Sequence, residues 1–119
     1  MKLLVCGDRN WTDAALIHAE LKKRPNVRLL IHGAAPGADT LAGKAAVECG
    51  IRVKAIPADW KRYGRAAGPI RNAAMLKEIP HLVLAFHDDI KHSKGTKNMI
   101  AQAYKAGVPY KLISHKALL

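Results

Sequence analysis

Short apolar runs alternate along this chain with segments whose apolar residues recur at helical spacing, and Gly or Pro stands at most of the junctions. Lys2–Cys6 reads as a buried strand. Thr12–Arg24 sets Ala14, Leu16 or Ile17, and Leu21 at helical spacing, with Thr12 or Asp13 as its cap and Pro25-Asn26 as its end. Val27–Ile31 reads as the second strand. Ala38–Glu48 is the second helix, closed by Gly50. Ile51–Ile56, rich in β-branched residues, is the third strand. Pro57 to Gly68 reads as a long polar loop, and Pro69–Glu78 as a third helix with Pro69 in its first turn. His81–Phe86 is the fourth strand, Lys97–Ala106 the fourth helix with Gly107 beyond its end, and Val108–Ser114 the last strand. The tail Lys116–Leu119 is expected to fray.

Strands that alternate with helices imply an α/β fold with a parallel sheet covered on both faces and right-handed crossovers. At 119 residues, half of them apolar, the chain is long enough to bury a core and short enough to be one domain, 1–119. Apolar runs such as Leu82–Phe86 fall far short of the ~20 residues of a membrane span, so no membrane partner is expected. The start, Met1 to Asp8, turns polar too soon for a signal peptide. Cys6 and Cys49 form neither a disulfide framework nor a CxxC site, and a cytoplasmic location is expected.

In such a sheet, ligands sit beyond the carboxyl ends of the strands. The segments that follow strands one to four belong to that edge, and they hold most of the Gly, Asn and Thr and much of the basic charge. The formal net charge of +11 points to an anionic partner, a nucleotide, a nucleic acid or a phosphorylated metabolite, with a solvated basic face as the alternative.

Gly33-Ala34-Ala35-Pro36-Gly37-Ala38-Asp39 follows a strand and opens a helix. Glycines let a backbone approach a ligand, and the free N–H groups of a helix start favour phosphate. The loop is neither GxGxxG nor a Walker loop. Five residues separate Gly37 from Gly43-Lys44, and Ala45 stands where a Ser or Thr would ligate magnesium, which excludes a P-loop ATPase. A plain tight turn is the alternative. Ser93-Lys94-Gly95-Thr96 also precedes a helix, so Lys94 and the helix start can share a phosphate while Thr96 caps or donates.

Asp59 to Asn72 sets Lys61, Arg62, Arg65 and Arg71 against Asp59 alone, with Trp60 and Tyr63 interleaved. Cations bind phosphates and aromatic rings stack on bases. Trp11, Trp60 and Tyr63 are three of only six aromatic side chains, and all lie in edge loops. Packing of these rings beneath the long loop is the alternative. Arg71 and Asn72 are expected in the first turn of the third helix, where a cation opposes the macrodipole unless an anion lies nearby. His87-Asp88-Asp89 with His92 has metal-ligand character but no second cluster to complete a site, so no metal or other cofactor is expected. Cys6 reads as a core residue and His32 as a satisfied histidine.

The stretches Leu3 to Asp13, His32 to Asp39, and Ala58-Asp59-Trp60 through Gly68-Pro69-Ile70-Arg71-Asn72 to Met75 together resemble the YspA/YpsA-related branch of the SLOG superfamily. Its relatives include the LOG phosphoribohydrolases and the Smf/DprA proteins, and the resemblance runs from Lys2 to about Ile113. It implies a Rossmann-like, three-layer domain, here with expected strand order 3-2-1-4-5. It also implies binding of a nucleotide or nucleotide-derived ligand, as sensor or scavenger. The implied ligand residues are Gly7, Asp8, Arg9, Asn10 and Trp11, then Gly33, Ala34, Gly37, Ala38 and Asp39, then Gly68, Arg71 and Asn72. Trp60, Lys94, Gly95 and Thr96 join them from the reading above.

LOG enzymes cleave the N-glycosidic bond of a nucleoside monophosphate with an Arg in an Arg-x-x-x-Met helix and a Glu after a glycine loop. Arg71 and Met75 fit the first element. At the second, Met99 stands where the Glu would be, and a Met neither accepts a proton nor stabilises an oxocarbenium charge. A hydrolase would need Asp8, Asp39, Asp59, Asp88 or Asp89 in that role, with Arg71 and Asp39 the expected catalytic pair. Single-stranded nucleic-acid binding is the third reading. A homodimer is a further expectation from the resemblance and from the apolar helix faces.

Overall fold

The computed structural model describes residues 1–116; the expected fraying of the tail falls, from position 117 onward, outside the described residues. The strands are β1 (Lys2–Gly7), β2 (Leu29–His32), β3 (Arg52–Ala55), β4 (Leu82–Phe86) and β5 (Tyr110–Ile113). They form one parallel sheet in the order β3-β2-β1-β4-β5. The helices are α1 (Ala14–Lys22), α2 (Ala38–Glu48), α3 (Trp60–Tyr63), α4 (Ala67–Leu76) and α5 (Gly95–Lys105). The Rossmann-like architecture and the strand order are those expected from the sequence.

The two faces of the sheet explain its continuous apolar runs. On one face Leu3, Val5, Leu30, Leu84 and Phe86 pack under α1 and α2, which contribute Ile17, Leu21 and the small residues Ala38, Ala42, Ala45 and Ala46. On the other, Leu4, Cys6, Ile31, Val83 and Ala85 pack against Met75 of α4 and Met99 and Ala103 of α5. A strand buried on both faces has no polar alternation to show. Each large apolar side chain so buried is worth ~1.5–3 kcal/mol. The edge strands β3 and β5 are largely exposed and carry Arg52, Lys54 and Lys111, charges that discourage pairing with another sheet.

The structure differs from the sequence reading at three places that bear on the site. Residues 57–68 are not one loop. Asp59 Oδ1 accepts the Arg62 N–H at 3.2 Å and starts the short helix α3, and a 3₁₀ turn over Gly64–Ala66 follows. Helix α4 begins at Ala67 rather than Pro69, so Arg71 lies in the second turn, away from the repulsive end of the macrodipole. Helix α5 begins at Gly95, and the Ser93 hydroxyl, not Thr96, takes the capping role by accepting the Thr96 N–H at 3.1 Å. At α1 the cap is Asp13, whose carboxylate accepts the Leu16 N–H at 3.0 Å.

Candidate functional site

The carboxyl edge is built on a backbone frame. Gly37 caps α2 at φ +77°, and its Cα lies so close to the backbone of Asp8 and Arg9 that a side chain would collide there. The Asp8 carbonyl accepts the N–H groups of Trp11 and Ala38, both at 3.1 Å, and its side chain accepts the Asn10 N–H at 2.9 Å. Gly7 packs on the Phe86 carbonyl and the Ala38 Cβ. Gly7, Asp8, Gly37 and Ala38 therefore join the ends of β1, β4 and α2, while Arg9 and Asn10 remain exposed above them.

Asp39 sits at the centre of this frame and is only 5% exposed. Its Oδ2 accepts the Gly33 N–H at 2.9 Å and the Ala35 N–H at 3.3 Å. The N–H groups that the sequence offers to a phosphate are thus occupied by the protein's own carboxylate. Burial pushes the Asp39 pKa up to about 6, against the opposing pull of the Ala35 N–H, the Arg71 guanidinium and the Gly33 N–H. Ala34, at φ +58°, holds strained backbone between these bonds, and its N–H goes to His32 Nδ1 at 2.9 Å. His32 is a satisfied histidine whose ring lies on Gly43. Burial and the Arg71 charge lower its pKa.

Arg71 reaches the same glycine from α4. Its Nη1 donates to the Gly33 carbonyl at 2.5 Å and its Nε to Asn72 Oδ1 at 3.0 Å. A guanidinium has five N–H donors, so most remain open to a ligand. Asn72, buried, holds that geometry: its amide donates to the Gly95 carbonyl at 3.3 Å and to Asn98 Oδ1 at 3.1 Å. Gln102 closes the network by donating to Asn98 Oδ1 at 2.7 Å and to the Pro69 carbonyl at 3.0 Å. Arg71 is thereby tied to the start of α5. Asn72 enters as the residue that positions Arg71. Asn98 and Gln102 were not singled out in the sequence, where their i, i+4 spacing reads as ordinary helix surface.

Around this core lie the exposed candidates. Trp60 is 60% exposed, so it is not packed under the loop; its ring edge stands over Gly68, where a Cβ would come within 3.4 Å. Arg62 lies over the Tyr63 ring at 5.1 Å. Lys94 and Gly95 are exposed at the start of α5, and Thr96 is buried. A cavity of about 510 Å³ there is lined by Lys91, His92, Ser93, Lys94, Lys97 and Asn98. It shares Asn98 with the Arg71 network.

Other candidates fall elsewhere. Trp11 is buried, with Phe86 at its edge and His115 stacked on it at 4.5 Å, so its faces are taken. Met99 is a core residue beside Met75. Burial, with Asp39 adding and Arg71 opposing, drives the Cys6 thiol far above its usual range. Asp89 accepts from His92, and Asp88 binds Ser114 and His115. That last cluster escaped the sequence reading, because His115 also meets Asp13 at 2.7 Å across 102 residues.

The chain has relatives of known sequence and fold. Residues 1–63 match the YspA, cpYpsA-related SLOG family. The Gene 61 protein of Mycobacterium phage D29 is 32% identical over an alignment that covers 91% of this chain and 92% of that protein. The X-ray structure of DNA processing protein A (DprA) from Streptococcus pneumoniae superposes with a TM-score of 0.77 at 19% identity. It matches 98% of this chain but 51% of its own, so the chain spans about half the length of that protein and the likeness is one of fold. Among the described residues no helix is long and apolar enough to cross a membrane.

Proposed function

Because the chain belongs to the YspA, cpYpsA-related SLOG family, we propose that it binds a nucleotide or nucleotide-derived ligand at the carboxyl edge of its sheet, as a sensor or scavenger. The observation that carries this reading is Arg71. It is a half-buried guanidinium fixed at Nη1 and Nε by Gly33 and Asn72, with its remaining donors uncommitted. Arg71 anchors the ligand's phosphate, Lys94 and the first turn of α5 share the charge, and the exposed Trp60 ring takes the base. The Gly33 and Ala35 N–H groups serve Asp39 instead of the phosphate.

The test is a thermal shift against mono-, di- and cyclic nucleotides, nucleotide sugars and NAD derivatives, with inorganic phosphate as control at fixed ionic strength. A ligand at ~100 times its dissociation constant adds ~2.7 kcal/mol of stability. A shift with one nucleotide class supports the reading; a shift no larger than that given by phosphate overturns it.

A second reading is favoured by Asp39. A buried carboxyl that titrates near pH 6 beside a guanidinium is suited to acid–base work. In this reading the protein cleaves a nucleotide's glycosidic bond, and Asp39→Asn abolishes base release while binding persists. Full activity in that variant removes Asp39 from the role. Single-stranded nucleic acid at the same edge is a third reading. It is supported by the +11 charge and by a fold shared with a DNA processing protein.

A further inference from the structure

The amino edge of the sheet, opposite the site above, carries a second feature. An open groove of about 1020 Å³ runs along the strand starts, with Lys2, Lys22, Arg24, Arg28, Arg52 and His81 among its lining. Among the described residues no carboxylate and no Trp, Tyr or Phe lines it. The strand register produces this row. Lys2 is level with Leu29, Leu29 with Arg52, and His81 Nδ1 accepts the Lys2 N–H at 3.0 Å. Neighbouring strands lie ~4.8 Å apart, so the basic residues follow one another along a rim.

Most of this charge is not neutralised. Arg24 is paired with Glu20. Lys2 Nζ donates to the neutral Glu78 carbonyl at 2.9 Å, and Lys22, Arg28 and Arg52 make no ion pair among the described residues. The carboxyl ends of α1 and α2 point to this edge, and their dipoles account for a cation such as Lys22. They do not account for Lys2, Arg28 and Arg52, which lie at strand starts. Gathering these charges into one groove costs self-repulsion that an anionic partner relieves.

We propose that this groove binds the phosphodiester backbone of a nucleic acid without reading its sequence. The volume is at the upper end of small-molecule pockets, and the groove is partly open to solvent. Among the described residues it has no Trp, Tyr or Phe on which a base can stack. It offers repeated cations, the feature that positions a phosphate backbone and carries no sequence information. The proposal is independent of the nucleotide site at the carboxyl edge.

The test uses the full chain and a labelled mixed-sequence single-stranded oligonucleotide, with binding read by fluorescence anisotropy across a salt series. Arg28→Glu/Arg52→Glu is compared with Lys44→Glu/Lys105→Glu, a pair of exposed sites outside the groove with the same net charge. The groove pair is expected to lose at least about tenfold in affinity. It should also flatten the slope of log K on log salt by roughly 1.4, at ~0.7 for each lost phosphate contact on a single strand. The control pair should lose much less. Equal losses in the two pairs would assign the binding to net charge and overturn the proposal, as would no loss in the groove pair. Equally effective displacement by poly-glutamate of matched charge would point to an acidic protein segment and overturn it too. If the groove pair does not fold, Arg28→Gln/Arg52→Gln against Lys44→Gln/Lys105→Gln makes the same comparison. A nucleotide that stabilises wild type and the groove pair equally would leave the carboxyl-edge site standing whichever way the groove test falls.

Discussion

Asp39 Oδ2 accepts the Gly33 N–H at 2.9 Å, and Arg71 Nη1 donates to the Gly33 carbonyl at 2.5 Å. A carboxylate from α2 and a guanidinium from α4 thus hold the two polar groups of one glycine. The loop carries its own anion, and in the proposed function it is the open donors of Arg71 that take a ligand's phosphate. Several consequences are measurable.

Gly33→Ala should damage the site with a modest effect on the fold. A Cβ at this position would run into Arg71, 2.7 Å from its Cζ, and would lie 2.9 Å from Asp39 Oδ2. Overpacking of this kind costs about 1–3 kcal/mol. Since Arg71 is the partner with room to move, ligand affinity should fall by more than about tenfold, the equivalent of ~1.4 kcal/mol. Titration calorimetry on the folded variant checks this, and unchanged affinity would detach Gly33 from the site.

Asp39 should make stability fall as pH rises. Its pKa is raised in the folded state from 3.8 to about 6, so between these values the folded chain holds a proton that the unfolded chain has released. The favourable contribution is present below about pH 4 and lost by about pH 6, a change of order 3 kcal/mol. Asp39→Asn lacks this term. Its stability relative to wild type should therefore rise from pH 4 to pH 7. His32, whose lowered pKa acts in the opposite sense, is common to both proteins and cancels. Melting temperatures of the pair across this range decide it, and a constant difference would show that Asp39 does not titrate there.

His115 should report its own titration through Trp11. The imidazole stacks on the indole at 4.5 Å, and its two nitrogens meet Asp88 and Asp13, each at 2.7 Å. Those hydrogen bonds raise its pKa above 6.5 and lower the pKa values of both carboxyls, Asp88 to about 2. The raised base stabilises the fold below about pH 6.5 and loses its effect as pH climbs through the folded value. The lowered acids stabilise above about pH 4 and lose their effect in acid. The clasp is complete between these limits. In a Trp60→Phe background, Trp11 fluorescence should rise with a midpoint above 6.5 as the quenching imidazolium disappears. A midpoint at or below 6.5 would contradict the clasp.

Ile79→Gly should stabilise the protein. Ile79 follows α4 at φ +58° and is 73% exposed, so a β-branched residue holds a left-handed conformation with little burial in return. The left-handed conformation costs an L-residue ~1–2 kcal/mol. A gain of roughly 1 kcal/mol, a few degrees in Tm, is expected. Thermal unfolding of the variant measures it, and a loss of stability would refute the strain.

The fold was far more legible in the sequence than the site. Helix α2 was read at its observed bounds, because Gly37 and Gly50 bracket a run of small residues. The parallel sheet followed from strands that are apolar on both faces. Helix α3 was missed, because four residues capped by Asp59 carry no periodicity. The start of α4 was placed two residues late, because Pro69 suits a first helical turn and nothing local shows the helix already formed at Ala67. At the site the structure brings Gly33, Asp39, Arg71 and Asn72 together, but the partner of each was not visible in the sequence. Asp39 folds back onto its own loop, Asn72 braces Arg71, and Trp11 packs under His115, all through contacts that local spacing does not encode.

The most direct measurement is a calorimetric titration of a nucleoside monophosphate series into wild type and Arg71→Gln, with inorganic phosphate as control. The account requires saturable binding of at least one nucleotide to wild type, at least about a hundredfold weaker in Arg71→Gln, the loss of a ~3 kcal/mol charged anchor. Equal affinity in the two proteins, or no nucleotide bound more tightly than phosphate, would contradict it.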